Sequence, residues 1–254
     1  MTDLAERVAG VAALADPMRL DLYRYVIAQP TPVSRDQAAT GLGVPRHTAK
    51  FHLDKLVEAG LLDRGFQRLS GRRGPGAGRP AKLYQRSKVQ VSVTLPERHY
   101  DLAAGLLAQA VDDSVRTSTP VLACLAAAAA DRGGQLAHQA AVVPGSTTDT
   151  PDRVTVACDV LAEQGYEPRR SGSRVTLANC PFDALARAHT NLVCGMNLAL
   201  LEAFTRQAAA GAMRARLDPD ADRCCVVLDV AEDRTTTDRA DRGLTTSDDG
   251  REVP

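Results

Sequence analysis

What this sequence lacks excludes several large functional classes. No uninterrupted apolar run in its 254 residues approaches the ~18–20 needed to cross a bilayer, and the opening MTDLAERVAG has no basic region followed by an apolar stretch. A soluble, cytoplasmic protein without a membrane partner is expected. No phosphate-binding glycine fingerprint opens a helix, no nucleophile elbow occurs and no His-x-x-x-His pair is present, so no catalytic residues are assigned and no enzyme is expected. Self-similarity at a period of about 20–50 residues is missing too, which argues against solenoids and propellers. The length still leaves room for two or more buried cores.

Net charge is absent as well, since thirty-one Lys and Arg balance thirty-one Asp and Glu. The cancellation hides a segregation. Residues 1–90 hold fifteen basic and eight acidic side chains, a balance of +7, whereas residues 91–254 hold sixteen and twenty-three, a balance of −7. From Arg64 to Lys88 there are eight basic residues (Arg64, Arg68, Arg72, Arg73, Arg79, Lys82, Arg86, Lys88) and no acidic one. Such a field suits a polyanionic partner; a solvated basic surface is the competing reading.

The punctuation of the first third predicts three helices and a hairpin. Asp16-Pro17 opens a helix with an acceptor side chain ahead of proline, and Met18, Leu22, Val26 and Ile27 form its apolar face. Ser34 and Gln37 stand at capping-box spacing before Ala38, Ala39 and Leu42, and Gly41 and Gly43 end that short helix. Pro45 starts a third helix in which Ala49, Leu53, Leu56 and Val57 recur at i, i+4, i+7 and i+8 up to Gly60. The opposite face carries His47, Phe51, Asp54 and Glu58, with Thr48, Lys50 and Lys55 at its margins. Two short helices around a glycine turn have the order of a helix-turn-helix. Leu61–Leu69 and Lys82–Arg86 then pair as strands around the flexible basic loop SGRRGPGAGRPA, which makes a wing.

The stretch LADPMRLDLYRYV…SRDQAATGLGVPRHTAKFHLDKLVEAGLL…GRPAKLY resembles the winged helix-turn-helix of ArsR-like bacterial transcriptional regulators over about residues 10–88. Thr48-Ala49-Lys50-Phe51-His52-Leu53, Leu56 and Ala59-Gly60-Leu61 match that family's recognition helix and its exit into the wing. A helix about 10–12 Å across fits a major groove, and flanking cations neutralise phosphates, so binding should be salt-sensitive. Arg46, His47, Thr48 and Lys50 are assigned to the groove end, with Lys55 and Lys82 beside it. Arg72, Arg73 and Arg79 would reach the adjacent minor groove or backbone. Phe51 stands where the family often has a polar or basic residue. It either touches a thymine methyl or packs on a neighbouring helix. His52, at the edge of the buried stripe, reads as a structural histidine.

After the wing, residues 91–143 read as a helical linker and dimerisation segment. Pro96 opens a helical stretch with Leu102, Leu106 and Leu107, and the alanine-rich Cys124–Ala130 suits close helix packing. Residues 150–230 read as a small α+β domain. It has a helix around Val154–Leu161, strands at Tyr166–Arg170 and Arg174–Asn179, a long helical region from Asp183 to about Ala209, and a last strand from Cys224 to Leu228. Residues 231–254 are polar, without aromatics, and are expected to be a disordered tail.

Six cysteines in a chain without a secretion signal are expected to be reduced. Cys124 and Cys158 lie in apolar helix patterns and read as packing residues, whereas Cys180, Cys194, Cys224 and Cys225 flank turns and element ends in one small domain. This half is similar to the C-terminal domain of SufR-like regulators, through Cys180 in Cys-Pro-Phe, Cys194 beyond thirteen intervening residues, and the Cys224-Cys225 pair. The resemblance implies an iron–sulfur cluster whose presence controls DNA binding and reports cluster supply or oxidative stress. Cys180, Cys194 and Cys224 are the candidate ligands. On a strand, Cys224 and Cys225 would point to opposite faces, so the fourth ligand stays open among Cys225, His189 and an outside group. Zinc, or no metal, are the alternatives.

The fold class expected is therefore α+β: an N-terminal winged helix-turn-helix (1–90), a helical dimerisation segment (91–143), a C-terminal α+β sensor domain (150–230) and a disordered tail (231–254). The function expected is a homodimeric, sequence-specific transcriptional regulator, a repressor by analogy, on palindromic double-stranded DNA. An architectural DNA binder without a sensor, and a regulator of an organic ligand with merely packed cysteines, are the rivals.

Overall fold

The computed structural model describes residues 4–67, 80–141 and 150–231, and the chain divides into two compact units, residues 1–94 and 95–254. The amino-terminal unit consists of α1 (Leu4–Ala12), α2 (Pro17–Ile27), α3 (Arg35–Leu42) and α4 (Arg46–Glu58), with strands β1 (Val33–Ser34), β2 (Leu62–Gln67) and β3 (Ala81–Arg86). Local chemistry sets the helix ends. Asp16 Oδ1 accepts the Arg19 N–H at 3.0 Å with Pro17 in the first turn of α2. Ser34 and Gln37 close a reciprocal capping box, Gln37 N–H to Ser34 Oγ at 3.2 Å and Ser34 N–H to Gln37 Oε1 at 2.9 Å. Gly43, at φ 64°, closes α3 in the left-handed region. Gly41 has a different role from the helix stop expected of it: it lies inside α3, where a Cβ would overlap the Tyr25 ring.

The three strands form an antiparallel sheet in the order β1-β3-β2, with Leu62 opposite Arg86 and Gln67 opposite Ala81. Strand β2 thus begins at Leu62 rather than Leu61, and residues 68 and 69 lie outside the described residues. Leu22, Val26, Ala38, Ala49, Leu53, Leu56, Leu62 and Tyr84 make the core beneath it. Truncating Leu53 to alanine there would cost about 2–5 kcal/mol.

The second unit contains α5 (Tyr100–Thr117), α6 (Val121–Ala141), α7 (Thr150–Glu163), β4 (Pro168–Ser171), β5 (Arg174–Leu177), α8 (Asp183–Ala188), α9 (Thr190–Ala208), β6 (Met213–Leu217) and β7 (Val226–Val230). Its four strands form an antiparallel sheet in the order β4-β5-β7-β6. Helix α6 is the centre of this unit and packs chiefly on α9 and α5. The approach to α9 is so close that a Cβ on Gly133 would overlap the Leu200 carbonyl.

Four expectations are corrected. Residues 91–143 do not form a separate segment, because Ala103, Leu106, Leu125, Ala129 and Leu136 share one core with Leu161, Val175, Phe204 and Leu228. The first helix after the wing starts at Tyr100 rather than Pro96, and the helical region from Asp183 breaks at His189 into α8 and α9. Strand β6, which follows that region, has no counterpart in the sequence reading. The last strand starts at Val226, so Cys224 and Cys225 precede it and strand alternation does not separate them. The tail 231–254 lies outside the described residues apart from Ala231.

Candidate nucleic-acid interface and thiol cluster

Helix α4 buries Ala49, Leu53 and Leu56 and turns much of its opposite side outward. Arg46, His47, Lys50, Phe51 and Lys55 are exposed and Thr48 is half-buried. Arg46 Nη2 reaches Asp36 Oδ2 of α3 at 2.7 Å, and Lys55 Nζ reaches Glu58 Oε2 at 2.6 Å. Exposed pairs of this kind are worth about 0–1 kcal/mol, so neither prevents the cation from exchanging its carboxylate for a phosphate. Phe51 is 57% exposed, with its ring edge-on to His52 at 5.1 Å. Of its two sequence-based readings, packing on a neighbouring helix is therefore not what the side chain does. His52 turns inward, with Nδ1 3.9 Å from Asp16 Oδ1 at the cap of α2.

Lys82 is placed differently from a free DNA-facing cation. Its ammonium forms an ion pair with Asp54 of α4, and the Tyr84 hydroxyl donates to Asp54 Oδ1 at 2.8 Å. Partial burial pushes the Asp54 carboxyl up, but the hydrogen bonds from Lys82 and Tyr84, with Lys50 nearby, outweigh it and hold the group below its ordinary value. Burial, then the hydrogen bond to Asp54 and the charge of that carboxylate, pushes the Tyr84 phenol well above its own. Sequence reasoning missed Asp54 and Tyr84 as a pair, and it missed Phe66, which is 66% exposed on β2 directly across from Lys82. Arg72, Arg73 and Arg79 lie outside the described residues.

In the second unit, four cysteines that the sequence scatters come together. Cys180 follows β5, Cys194 sits in the first turn and a half of α9, and Cys224-Cys225 lead into β7. Their thiols are neighbours in the order Cys180, Cys224, Cys225, Cys194, each near enough to shift the titration of the next. Cys180, Cys194 and Cys224 are buried and Cys225 is half-buried. His189, the other candidate for a fourth ligand, is exposed at the break between α8 and α9. Two N–H groups also converge on Cys224 Sγ, from Asn197 Nδ2 at 3.3 Å and Val226 N at 3.5 Å. Asn197 Oδ1 in turn accepts from the buried Tyr166 hydroxyl at 2.6 Å.

These surroundings favour protonated thiols. The hydrogen bond with Cys224, followed by burial, pushes Cys180 up; burial does the same to Cys194 against an opposing hydrogen bond from Cys225. At Cys224 the hydrogen bond with Cys180 lowers the value, yet Cys225 and burial prevail and raise it. A metal would therefore have to displace protons on binding. All-sulfur donors suit zinc or iron–sulfur chemistry. The sulfurs nevertheless form a chain rather than a cage: among the described residues no group of three or more His, Cys, Asp or Glu is arranged to hold a metal ion as it stands. The donor chemistry fits, and the side chains would have to turn toward a common centre. Cys124, which donates to the Thr119 carbonyl at 3.8 Å, and Cys158, on α7, belong to other helices.

The backbone around Cys180 is tied down from one side. Arg98 Nη1 donates to the Cys180 carbonyl at 3.1 Å and to Asn179 Oδ1, and the His99 N–H donates to the Pro181 carbonyl at 3.0 Å. Asn179 Nδ2 returns a hydrogen bond to the Glu97 carbonyl at 3.1 Å.

No curated protein matches the chain. Among the described residues, no helix is long and apolar enough to cross a membrane. A family model described as a helix-turn-helix domain matches residues 14–64, a span that takes in α2, α3 and α4 and runs into β2. The exposed cationic face of α4 therefore belongs to a helix-turn-helix, the module of DNA-binding transcription regulators.

Proposed function

We propose that the protein is a homodimeric repressor whose grip on a palindromic operator is controlled by the second unit, through an iron–sulfur cluster held by Cys180, Cys194, Cys224 and Cys225. The single observation behind the sensor is the meeting of three buried thiols and the half-buried Cys225, with two N–H groups directed at Cys224 Sγ. Such donors stabilise a coordinating sulfur and tune a cluster's potential. A cluster there would supply sensitivity to oxidant and to iron–sulfur supply. The protein's own part is to hold the thiols, exclude water from them and carry their state to α4.

Dimerisation is supported by α5. Ala104, Ala108, Val111 and Val115 recur at helical spacing on its exposed side, with Val115 81% exposed, a stripe suited to a second copy of the chain. Two heads related by a twofold axis read two half-sites about one helical turn apart. An effector that favours one arrangement of the heads by about 1–3 kcal/mol changes operator affinity about 5–150-fold.

Protein purified without oxygen should be brown, carry iron near cluster stoichiometry and bind promoter DNA differently from the cluster-free form. Equal binding in both states removes the sensor. Colourless protein bearing zinc, or no metal at all, removes the iron–sulfur assignment and leaves the DNA-binding one standing.

A further inference from the structure

We infer that Asp54, acting with Tyr84 and Lys82, is a positioning residue for DNA recognition: it locks the recognition helix to the wing, so removing its negative charge weakens specific binding. This inference rests on the DNA-binding reading of the amino-terminal unit. A carboxylate on the side of α4 opposite the core is, by charge alone, a liability beside a polyanion. Its surroundings explain its presence. Tyr84 is fully buried in the core, so its hydroxyl is an anchored donor, and it points at Asp54 Oδ1 from 2.8 Å. Lys82 closes on the same oxygen and lies over the Tyr84 ring, 5.4 Å from its centre.

The two partners come from β3, 28 and 30 residues away in sequence, and they lie two residues apart on one face of that strand. Directly across from them on β2 are Phe66 and Arg64, both exposed. The Asp54 linkage therefore sets where the outgoing strand of the wing stands relative to Lys50 and Phe51 on α4. With the linkage intact, helix and hairpin meet a duplex as one preformed surface. Without it, each binds phosphate on its own.

Charge and positioning predict opposite signs. Asp54→Asn removes one negative charge and releases the Lys82 ammonium. On electrostatics alone the variant should bind every duplex more tightly and with a steeper salt dependence. If Asp54 positions the helix, affinity for the specific duplex falls about tenfold, while affinity for a scrambled duplex stays level or rises. A merely destabilised fold would weaken both together. Tyr84→Phe keeps every charge and the buried ring; because Tyr84 cannot touch DNA, a severalfold loss of specific affinity with an unchanged salt slope separates positioning from direct base contact by Asp54.

The test uses the full chain and the duplex it selects from a random-sequence library, with fluorescence anisotropy at several salt concentrations against a scrambled duplex of equal length. A fall in the specific-to-scrambled ratio for both variants supports the inference. An unchanged or higher ratio in Asp54→Asn, or wild-type behaviour of Tyr84→Phe, overturns it. Failure of the wild-type chain to select any sequence overturns the DNA-binding reading itself, and the inference falls with it.

Discussion

Removing the Asn197 side chain's polarity tests whether the hydrogen-bonded line Tyr166–Asn197–Cys224 is a structural unit. Asn197 and Tyr166 are almost wholly buried, and the link between them is 2.6 Å long. Asn197→Leu keeps the volume but strands the Tyr166 hydroxyl, whose desolvation without a partner costs about 1–3 kcal/mol. Cys224 loses one donor and keeps the Val226 N–H at 3.5 Å. Tyr166→Phe strands Asn197 Oδ1 instead, at similar cost. If the two changes were independent, the double variant would lose about 2–6 kcal/mol. Because both polar groups disappear together, it should be little worse than either single variant, a coupling of about 1–2 kcal/mol. The assay is thermal unfolding of reduced, metal-free protein by circular dichroism. In a unit of this size each kcal/mol moves the midpoint by about 2–4 °C. Additive losses would refute the reasoning.

Three further outcomes are expected. Lys50→Ala should weaken binding to specific DNA by about 1–3 kcal/mol if it contacts a base, or lower the salt slope by about one if it contacts a phosphate; anisotropy titrations at several salt concentrations distinguish the two, and no change in either would remove Lys50 from the interface. Cys225→Ser, like Cys180→Ser and Cys194→Ser, should lower the iron content of anaerobically purified protein, whereas His189→Ala should not; iron retained in Cys225→Ser would reopen the choice of fourth ligand. Metal-free protein should lose stability above about pH 9. Cys180, Cys194 and Cys224 are raised in the folded state, so above the ordinary thiol value the unfolded chain has released protons that the native state keeps, and stability falls with rising pH. Midpoints measured in reductant between pH 7 and 10 should show that fall, less steeply in Cys180→Ser.

The parts of this molecule legible in its sequence are those set by neighbours three or four residues apart. The caps at Asp16, Ser34 and Gly43 and the stripe Ala49, Leu53, Leu56 are of this kind, and all take the form expected of them. Long-range partners are not legible in the same way. Nothing around Lys82 marks it as bound to Asp54 rather than to phosphate, because that choice depends on how β3 docks on α4. Strand β6 had a signal, the alternation of buried Met213 and Ala215 with Arg214 and Arg216, but only five residues carry it and the turn before it holds a single glycine. Strand alternation counts against Cys225 as the fourth ligand only if the strand begins at Cys224, and β7 begins two residues later, which removes that objection. Asn197, polar and buried in the middle of α9, has no signal in sequence.

A path by which the thiol site can influence the amino-terminal unit has to run through something whose arrangement differs between two states. The segment 97–99 is the candidate, since the second unit begins at Leu95 and covalently continues the chain that carries the winged domain. Arg98 and His99 hold the Cys180 and Pro181 carbonyls, and Asn179 holds the Glu97 carbonyl. If a cluster turns the four thiols from a chain into a cage, Cys180 would shift, and these hydrogen bonds would pull residues 97–99 with it. At about 1 kcal/mol net each, a handful of such bonds can transmit a few kcal/mol and no more, which matches the 1–3 kcal/mol typical of coupling between sites. Arg98→Ala should therefore leave iron content and the visible spectrum unchanged while drawing the ratio of DNA affinities between cluster-bearing and cluster-free protein toward one. A variant that keeps the full ratio would show that the signal travels another way.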